Sequence, residues 1–305
     1  MSKVDKVFFN NASMKQLGWD RTWFNCDVDC TDEDLIEAIK EFQTDHQLEV
    51  DGMCGPFTFR RIYTYREALE AQALRQLGES TEEEKEEEER YIICNGEKVA
   101  IDWENVINIE HPDAFVLPPS TYNTRTKLRD VHQFVCHWDA ALSSKSCYDI
   151  LKRRGLSVQF SIDNDGTIYQ FTDANHLCWH APPVNGVSVG VEITNAVERQ
   201  YQGHYIREGF EKRPVVTPQK INGKHYSKIL GFYPVQLEAL KALIRALQTF
   251  YDIPSETPNA DGQHMKKVKD RQNYRGIVHH YQVAEISSGK WDCAGLDLHK
   301  IIKEL

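Results

Sequence analysis

Long apolar runs are absent from this sequence of 305 residues, and none approaches the length of a membrane span. The first residues, MSKVDKVFFNNASMKQ, contain no apolar core of signal-peptide length. We therefore expect no membrane insertion, and we expect a product made in the cytoplasm without a signal peptide. An excess of positive charge is also absent, because the formal net charge is -10. Nucleic acid binding thus has no electrostatic support, and we expect a monomer without a nucleic acid partner.

Regular cysteine spacing is missing as well. The eight cysteines are scattered along the chain, at positions 26, 30, 54, 94, 136, 147, 178 and 293. Scattered cysteines without a secretion signal favour free thiols over a disulfide framework. Cys26 and Cys30 are the exception, because C-x3-C spacing can hold a metal, although no second pair follows.

Negative charge is concentrated in one short segment. Residues 79–90 contain eight glutamates against Lys85 and Arg90, so they supply -6 of the net -10. Such a segment repels itself and has nothing to bury, which is typical of an extended linker or a solvated helix. We therefore divide the chain into a small helical domain at 1–78, an acidic linker at 79–90 and a larger domain at 91–305.

Helix signals dominate the first domain. Thr31 is a candidate N-cap, and the acidic residues after it suit the positive end of a helix dipole. This helix is expected to end near His46, after which LEVDGMCGP supplies the glycines and the proline of a tight turn. Pro56 then predicts the start of a second helix, which runs to about Leu77. Residues 1–30 allow no prediction.

Strand and hairpin signals dominate the second domain. Asn95 and Gly96 form a turn between two short alternating runs. Apolar runs at 134–136 and 188–194 predict buried strands, and leucines at helical spacing in 234–252 predict the principal helix. Further elements are expected at 148–154 (a helix) and at 157–162, 167–171 and 276–278 (strands). The expected fold class is α/β, with a central mixed β-sheet flanked by helices and a small N-terminal helical domain.

Metal-binding residue types are concentrated in VHHYQVAEISSGKWDCAGLDLH, residues 278–299. A short buried strand and the turn after it would bring His280 close to Asp292 or Cys293. A catalytic zinc ion takes three protein ligands and keeps a fourth position for water, so another ligand must come from elsewhere in the chain.

His137 is the best candidate for that ligand. It follows the apolar run 134–136, so it is expected just past the end of a strand, where it would face a cleft instead of the core. Each of the 12 histidines taken alone is more often an ordinary hydrogen-bonded residue than a ligand. The zinc interpretation therefore depends on the combination of His137 and His280 with Asp292 or Cys293.

A carboxylate interrupts an otherwise apolar strand. In SVGVEIT, residues 188–194, Glu192 would be costly to bury unless it is paired or takes part in chemistry. The alternative is that Glu192 faces solvent on a half-exposed strand. Beside a zinc site, we favour the chemical role.

The segment 198–232 carries seven Lys and Arg residues against three Glu, together with several aromatic residues. Its length without clear periodicity predicts an excursion over the site, and a basic, aromatic surface would suit an anionic sugar polymer. A loop without such a role is the alternative.

The first domain resembles the peptidoglycan-binding repeat. AIKEFQTDHQLEVDGMCGPFTFRRI contains that family's helix ending in FQ, its short apolar segment, its D-G-x-x-G-P-x-T turn and its second helix. The resemblance implies that residues 1–78 form a helical peptidoglycan-binding domain, which would hold the protein on the polymer and raise its local concentration. A generic helical cap with the same turn chemistry is the alternative.

The second domain resembles the type 2 N-acetylmuramoyl-L-alanine amidases, which include phage lysozyme-amidases and peptidoglycan-recognition proteins. The resemblance is carried, in order, by FVCHWDA, VQFSIDNDGTIYQF, WHA, N-x-x-S-V-G-V-E-I, YPVQLEALKALI, VHHYQV and KWDCAGLDL. It implies a Zn2+ cofactor held by His137, His280 and a third ligand. The family's K-x-D-P-G spacing favours Asp292, whereas Cys293 stays an alternative because a thiolate is the softer zinc ligand.

The same resemblance implies catalytic roles. Some members use a tyrosine where this chain has Val158, so the chain is similar to the branch whose glutamate performs acid-base catalysis, which assigns Glu192. Lys290 would stabilise the oxyanion of the tetrahedral intermediate. Contacts with the substrate are implied for Trp179, His180 and Asn185.

The implied function is hydrolysis of the amide bond between N-acetylmuramic acid and the L-alanine of the stem peptide in bacterial peptidoglycan. A wall-binding domain on a chain without a signal peptide is typical of a modular phage endolysin, which acts on the cell wall after release by another factor. The first alternative is a non-catalytic peptidoglycan recognition protein, although such members lack the third ligand and this chain offers two candidates. The second is an intracellular muropeptide-recycling amidase, which has no need of a wall-binding repeat.

Overall fold

The computed structural model describes residues 3–27, 30–76, 90–218, 220–221, 224–258, 267–285 and 288–305. The acidic segment predicted as a linker, 79–90, lies outside these ranges except for Arg90. The helices are α1 (Lys3–Leu17), α2 (Asp32–Asp45), α3 (Pro56–Gln76), α4 (Ser144–Arg154), α5 (Gln202–Arg207), α6 (Pro234–Phe250), α7 (His280–Val283) and α8 (Leu298–Lys303). The strands are β1 (Tyr91–Cys94), β2 (Glu97–Ala100), β3 (Val106–Ile107), β4 (Tyr122–Asn123), β5 (Gln133–Trp138), β6 (Phe160–Ile162), β7 (Ile168–Gln170), β8 (Leu177–Cys178), β9 (Ser188–Ile193), β10 (Val215–Val216), β11 (Ile229–Leu230) and β12 (Gly276–His279). None of the helices in the described ranges is long and apolar enough to cross a membrane.

Six strands form one mixed sheet in the order β12-β5-β9-β6-β7-β3. The first four are parallel to one another, whereas β7 is antiparallel to β6. Every residue of β5 and β9 is buried, which explains why QFVCHW and SVGVEI lack the polar alternation of a half-exposed strand. The predicted α/β class, with a central mixed sheet and flanking helices, is confirmed.

Alternation of side chains gives this sheet two different faces. Phe134, Cys136 and Val191 belong to the main core, to which α6 contributes its buried leucines. His137 and Glu192 are one residue further along their strands, so they point to the opposite face. Their Cα atoms are paired in the register of β5 with β9. Two residues that are far apart in the sequence are therefore neighbours on one face of the sheet.

The bounds of several elements differ from the expectations, and β6, for example, covers only Phe160–Ile162 of the strand expected at 157–162. α4 begins at Ser144 and not at Tyr148, because the side chain of Ser143 caps the helix. β5 continues to Trp138, so the prediction that His137 lies past the end of the strand was wrong. The pairing with β9 is the reason, since the two strands stay in register to their last residues.

The described residues 3–76 form a helical module in which α1, α2 and α3 surround a small apolar core. α2 begins at the predicted cap, because the Thr31 hydroxyl accepts a hydrogen bond from the Asp34 backbone and the Asp34 carboxylate accepts one from the Thr31 backbone. α3 begins at Pro56, as predicted. α1 accounts for much of the stretch that allowed no prediction.

The hydrogen bonds of the Gln43 side chain account for the sequence of the turn between α2 and α3. The side-chain oxygen of Gln43 accepts hydrogen bonds from the backbone N–H groups of Asp51 and Gly52, at 3.0 and 2.8 Å. Its side-chain nitrogen donates to the hydroxyl of Thr58 at 3.0 Å. Gly52 has a φ of +72°, and a Cβ there would lie 2.8 Å from the Ile36 side chain, so glycine is required. FQ and D-G-x-x-G-P-x-T are thus parts of one hydrogen-bonded unit.

Cys26 and Cys30 form a disulfide bond within the helical module. The interpretation of this C-x3-C pair as a metal site is therefore wrong, because the two sulfur atoms are bonded to each other. Their spacing of four residues places the Cα atoms 5.5 Å apart, which suits a disulfide. The other cysteines are free and buried, as predicted: Cys54, Cys94, Cys136, Cys147, Cys178 and Cys293.

One face of α3 packs on the sheet domain, by which we mean the described residues from 90 to 305. Arg61 forms an ion pair with Glu198, with an N–O distance of 3.0 Å. One turn further along α3, the Thr64 hydroxyl donates a hydrogen bond to the carbonyl oxygen of Ala140 at 3.0 Å. The helical module is therefore held against the sheet domain by specific polar contacts at helical spacing.

Glu67 continues this docking face by another turn. Its carboxylate accepts a hydrogen bond from the hydroxyl of Ser146, and its second oxygen is buried without a hydrogen-bond partner among the described residues. Burial raises the pKa of Glu67 to about 7, because it outweighs the hydrogen bond from Ser146. The folded pKa thus lies above the ordinary value of 4.5, so the stability contributed by this group falls as the pH rises through the interval between the two values.

We expect Glu67→Gln to raise the melting temperature more at pH 8 than at pH 5, because the amide keeps an acceptor for Ser146 but cannot ionise. Differential scanning calorimetry at both pH values measures this difference. Glu41→Gln, a change on the exposed side of α2, is the control and should shift neither value. A Glu67→Gln variant that is less stable than the wild type at pH 8 would contradict the prediction.

Candidate functional site

Three parallel strands end at one edge of the sheet, and each brings a polar side chain there. His137 is the last but one residue of β5, Glu192 is the last but one of β9, and His280 directly follows β12. The carboxyl ends of parallel strands are where α/β proteins commonly bind ligands. Asp292, from the loop between α7 and α8, joins this group.

His137, His280 and Asp292 lie close enough to share one ion. Asp292 Oδ2 lies 3.2 Å from His137 Nδ1 and 2.9 Å from His280 Nδ1. One ligand atom from each residue lies within 4.8 Å of the other two, and no second group of this kind occurs in the described part of the chain. Two imidazole nitrogens and one carboxylate oxygen form a donor set that a catalytic zinc ion takes, with one position left for water. The residues present therefore fit a divalent metal ion.

The charge states of this group suit metal binding. Burial and the charge of His280 lower the pKa of His137 to about 4, so its ring is neutral at pH 7. Burial opposes the ionisation of Asp292, but the charge of His280 and the hydrogen bonds from both histidines hold the pKa of this carboxyl well below its usual value. A neutral imidazole and an ionised carboxylate are the forms that bind a metal.

Cys293, the alternative third ligand, lies elsewhere. Its side chain is fully buried in the main core, which is on the other face of the sheet from His137. Burial raises the pKa of the Cys293 thiol well above its usual value, which disfavours the thiolate that a metal requires. The geometry therefore favours Asp292 over Cys293.

His180 lies against a candidate metal ligand. Its Nδ1 lies 3.0 Å from His137 Nε2, and its Nε2 lies 3.3 Å from the hydroxyl of Ser188. Gly190 leaves room for the ring, because a Cβ there would lie 2.6 Å from His180 Nδ1. Such a neighbour can fix the orientation of a metal-binding histidine. This position suits a role in orienting His137, and the substrate contact expected from the sequence stays a prediction.

Trp179 and Asn185 belong to the loop that carries His180. The side-chain oxygen of Asn185 accepts hydrogen bonds from the backbone N–H groups of His180 and of the next residue, at 3.2 and 2.7 Å. The backbone N–H of Trp179 donates to the hydroxyl of Ser157 at 2.9 Å. Neither Trp179 nor Asn185 lines the large cleft that the described residues form beside Asp292. Their contacts with substrate stay predictions.

Glu192 is 5% exposed, which excludes the solvent-facing alternative. Its Oε2 has no hydrogen-bond partner among the described residues. In the sheet it lies between His137 of β5 and Ser161 of β6. Burial raises the pKa of Glu192 to about 8, although the charge of Arg60 opposes this. A buried carboxyl with a free oxygen and a pKa near neutrality is a candidate proton donor and acceptor.

Lys290 lines a cleft of about 1170 Å³ that extends to Asp292. Its Nζ lies 5.4 Å from the centroid of the Phe57 ring, which belongs to the helical module. Burial lowers the pKa of Lys290, and the charge of Asp292 opposes this effect. Trp291 forms one wall of the cleft, stacked on Tyr226 with ring centroids 4.2 Å apart.

Some described residues of the segment 198–232 lie beside this cleft, and its role over the site stays a prediction. Lys224, Tyr226 and Lys228 are among the residues that line the cleft. The basic and aromatic character that was noted in the sequence is therefore present where a ligand would lie.

Arg60 is the residue that the sequence analysis missed. It lines the same cleft as Lys290 and Asp292, although it belongs to α3 of the helical module. Within the repeat motif it is an ordinary helix residue, and no local pattern distinguishes it from Arg61. Only the docking of α3 on the sheet domain places Arg60 beside the site.

Comparison with known proteins places most of the sheet domain in one family. Residues 127–295 match the family described as N-acetylmuramoyl-L-alanine amidase, and residues 28–62 match a peptidoglycan binding domain. A comparison with curated proteins yields no match.

Several solved structures are similar to this chain. One is the endolysin N-acetylmuramoyl-L-alanine amidase LysCS from Clostridium intestinale, with 19% identity, a TM-score of 0.35, and coverage of 63% of this chain and 95% of that chain. Another is Drosophila PGRP-LB in complex with tracheal cytotoxin, with 16% identity, a TM-score of 0.36, and coverage of 64% and 92%. A third is the Ph2119 endolysin from a Thermus scotoductus bacteriophage, with 13% identity, a TM-score of 0.32, and coverage of 62% and 97%. Because these TM-scores are low, the assignment depends on the sequence match.

We expect Asp292→Ala to abolish binding of a divalent metal ion, whereas Cys293→Ser should retain one ion per chain. The reason is that the carboxylate of Asp292 faces both histidines, while the Cys293 thiol is buried in the core. Equilibrium dialysis against zinc, followed by elemental analysis of the purified proteins, measures the ion content. The opposite pattern, with loss of the ion in Cys293→Ser alone, would exclude Asp292 as the ligand.

Proposed function

This chain belongs to the N-acetylmuramoyl-L-alanine amidase family, and from that membership we propose that His137, His280 and Asp292 hold a Zn2+ ion at its catalytic site. The reaction is hydrolysis of the amide bond between N-acetylmuramic acid and the L-alanine of the stem peptide. The observation that carries the proposal is the convergence of these three residues at the ends of parallel strands, beside the buried Glu192.

Zinc bound there would supply a Lewis acid for the scissile carbonyl and would lower the pKa of water towards ~7. His137 presents a neutral ring nitrogen to it, His280 presents a second ring nitrogen, and Asp292 presents an anionic oxygen. His180 would hold the ring of His137 in position through the 3.0 Å contact between their nitrogen atoms.

Glu192 would accept the proton of the attacking water and deliver it to the leaving amine. Burial keeps its pKa near 8, so the carboxyl can exchange a proton close to neutral pH. Its Oε2 supports this role, because it has no hydrogen-bond partner among the described residues and is available to a water molecule or a substrate group. Lys290, on the cleft side of Asp292, would stabilise the negative charge that develops on the carbonyl oxygen.

The match of residues 28–62 to a peptidoglycan binding domain supports peptidoglycan as the partner of the whole chain. We infer a division into a peptidoglycan-binding domain at 1–78, a linker at 79–90 and a catalytic domain at 91–305. The combination of a wall-binding repeat with an amidase domain supports a monomeric, modular phage endolysin that acts on the cell wall.

Digestion of purified bacterial peptidoglycan tests the bond specificity. We expect mass spectrometry to detect stem peptides with free L-alanine amino termini and glycan strands that have lost them, with no shortening of the glycan. Removal of zinc by a chelator should stop the release, and added zinc should restore it. New sugar reducing ends, or cleavage between amino acids of the stem, would identify a different hydrolase.

We expect Glu192→Gln to lower the turnover number by ~10² to 10⁴, because the amide keeps the size of the side chain but cannot accept a proton. Zinc content and muropeptide affinity should stay close to those of the wild type. Glu97→Gln, an exposed change in the β1–β2 hairpin, serves as the matched control. Unchanged turnover in Glu192→Gln would move the acid-base role to another residue, and His180 would be the first to examine.

A further inference from the structure

The helical module and the sheet domain together line the cleft beside the candidate metal centre. Phe57 and Arg60 come from α3, whereas Lys290, Trp291 and Asp292 come from the loop before α8. A module that served only to hold the protein on a polymer would have no need to contribute side chains to this cleft.

Arg60 is close enough to Asp139 and Glu192 for its charge to oppose the rise in pKa that burial causes in both carboxyls, but it is not bonded to either. It forms no hydrogen bond or ion pair with the residues that the structure describes, in contrast to Arg61, whose guanidinium lies 3.0 Å from Glu198. The nearby carboxyl of Asp139 already accepts hydrogen bonds from two backbone N–H groups and one hydroxyl. Glu192 is buried in the sheet and forms no hydrogen bond with Arg60.

Lys290, which lines the same cleft from the sheet domain, likewise lacks an ion pair among the described residues. Its ammonium lies over the ring of Phe57 and makes no ion pair in the described part of the chain. Arg60 and Lys290, which come from different parts of the chain, therefore line one cleft, and neither forms an ion pair in the described part of the chain. An anionic group of a ligand in the cleft could pair with either cation.

The position of Arg60 is fixed by the docking of its helix. Arg61, Thr64 and Glu67 all contact the sheet domain, so the first turns of α3 cannot move independently of the site. A preorganised guanidinium binds a carboxylate with little loss of conformational entropy, and its planar geometry allows two parallel hydrogen bonds.

We propose that Arg60 binds a carboxylate of the stem peptide in this cleft, so that the helical module supplies part of the substrate site. The inference rests on the proposed function, because the stem peptide is the part of the substrate that carries carboxylates next to the scissile amide. Arg60 then determines preference among stem peptides in addition to any tethering by the module.

The test compares full-length wild type and Arg60→Ala on two soluble muropeptides that differ only in the stem carboxylates, which are free in one and converted to carboxamides in the other. We expect the wild type to have a kcat/KM about 10-fold higher on the free form, mainly through a lower KM, as the loss of one charged hydrogen bond implies. Arg60→Ala should lose this advantage and treat both muropeptides alike, with any change in kcat equal on the two substrates.

Two further variants separate this role from structural effects. Arg60→Lys keeps the charge but not the paired hydrogen bonds, so it should retain part of the preference. Lys15→Ala removes an exposed charge of the module outside the cleft and should behave as the wild type. Zinc content and melting temperature are measured for every variant.

Retention of the preference of about 10-fold in Arg60→Ala would overturn the inference, because another residue would then recognise the stem carboxylate. A wild type that does not distinguish the two muropeptides would overturn it without reference to any variant. Failure of the wild type to release L-alanine termini from either muropeptide would instead refute the proposed function itself.

Discussion

The parallel pairing of β5 with β9 and β12 is the constraint on which the site depends. Backbone hydrogen bonds hold His137 opposite Glu192 in the register, and the same ladder brings the end of β12, and with it His280, to the same edge. A slip of one residue would turn His137 into the core that Cys136 now occupies. The two candidate metal-binding histidines and the candidate acid-base group thus share one rigid support.

Loops supply the rest of the site, and buried polar contacts hold them in place. Arg213, which is 1% exposed, fixes the segment that leads to the cleft-lining residues Lys224 and Lys228. Its guanidinium lies 4.3 Å from the centroid of the Tyr205 ring and donates a hydrogen bond to the carbonyl oxygen of Gly231 at 2.9 Å. Ring faces and carbonyl oxygens offset the desolvation of this buried cation.

Because the helical module docks on the sheet domain, its peptidoglycan-binding repeat contributes residues to the cleft beside the candidate metal site. The helix that follows its D-G-x-x-G-P-x-T turn uses one side for the core of the module and another for the sheet domain. Phe59 and Ile62 belong to the first side, and Arg61 and Thr64 to the second. Arg60 lies between these sides, at the cleft. A repeat that binds polymer elsewhere can therefore contribute directly to the site where the polymer is cut.

Local patterns were sufficient for most of the longer helices and strands and for the candidate metal ligands. Thr31, Pro56 and the Asn95-Gly96 turn mark element boundaries through hydrogen bonds and dihedral preferences that extend over a few residues, so they could be recognised without a fold. The motifs around His137 and His280 likewise identified both as candidate ligands. Short strands such as β3 and β10 had no such signal, because two residues carry no periodicity.

Three features of the candidate site could be determined only from the tertiary structure. Asp292 and Cys293 are adjacent and both are metal-binding types, and only the side of the sheet that each one faces separates them. The sequence left open whether Glu192 faces solvent, and only the packing of the neighbouring strands and the elements that cover them shows that it is buried. Arg60 is far in the sequence from each of the three candidate metal ligands, so its place in the cleft follows from the docking of one helix. Contacts between distant residues depend on how whole elements pack, and no pattern confined to a short stretch of sequence contains that information.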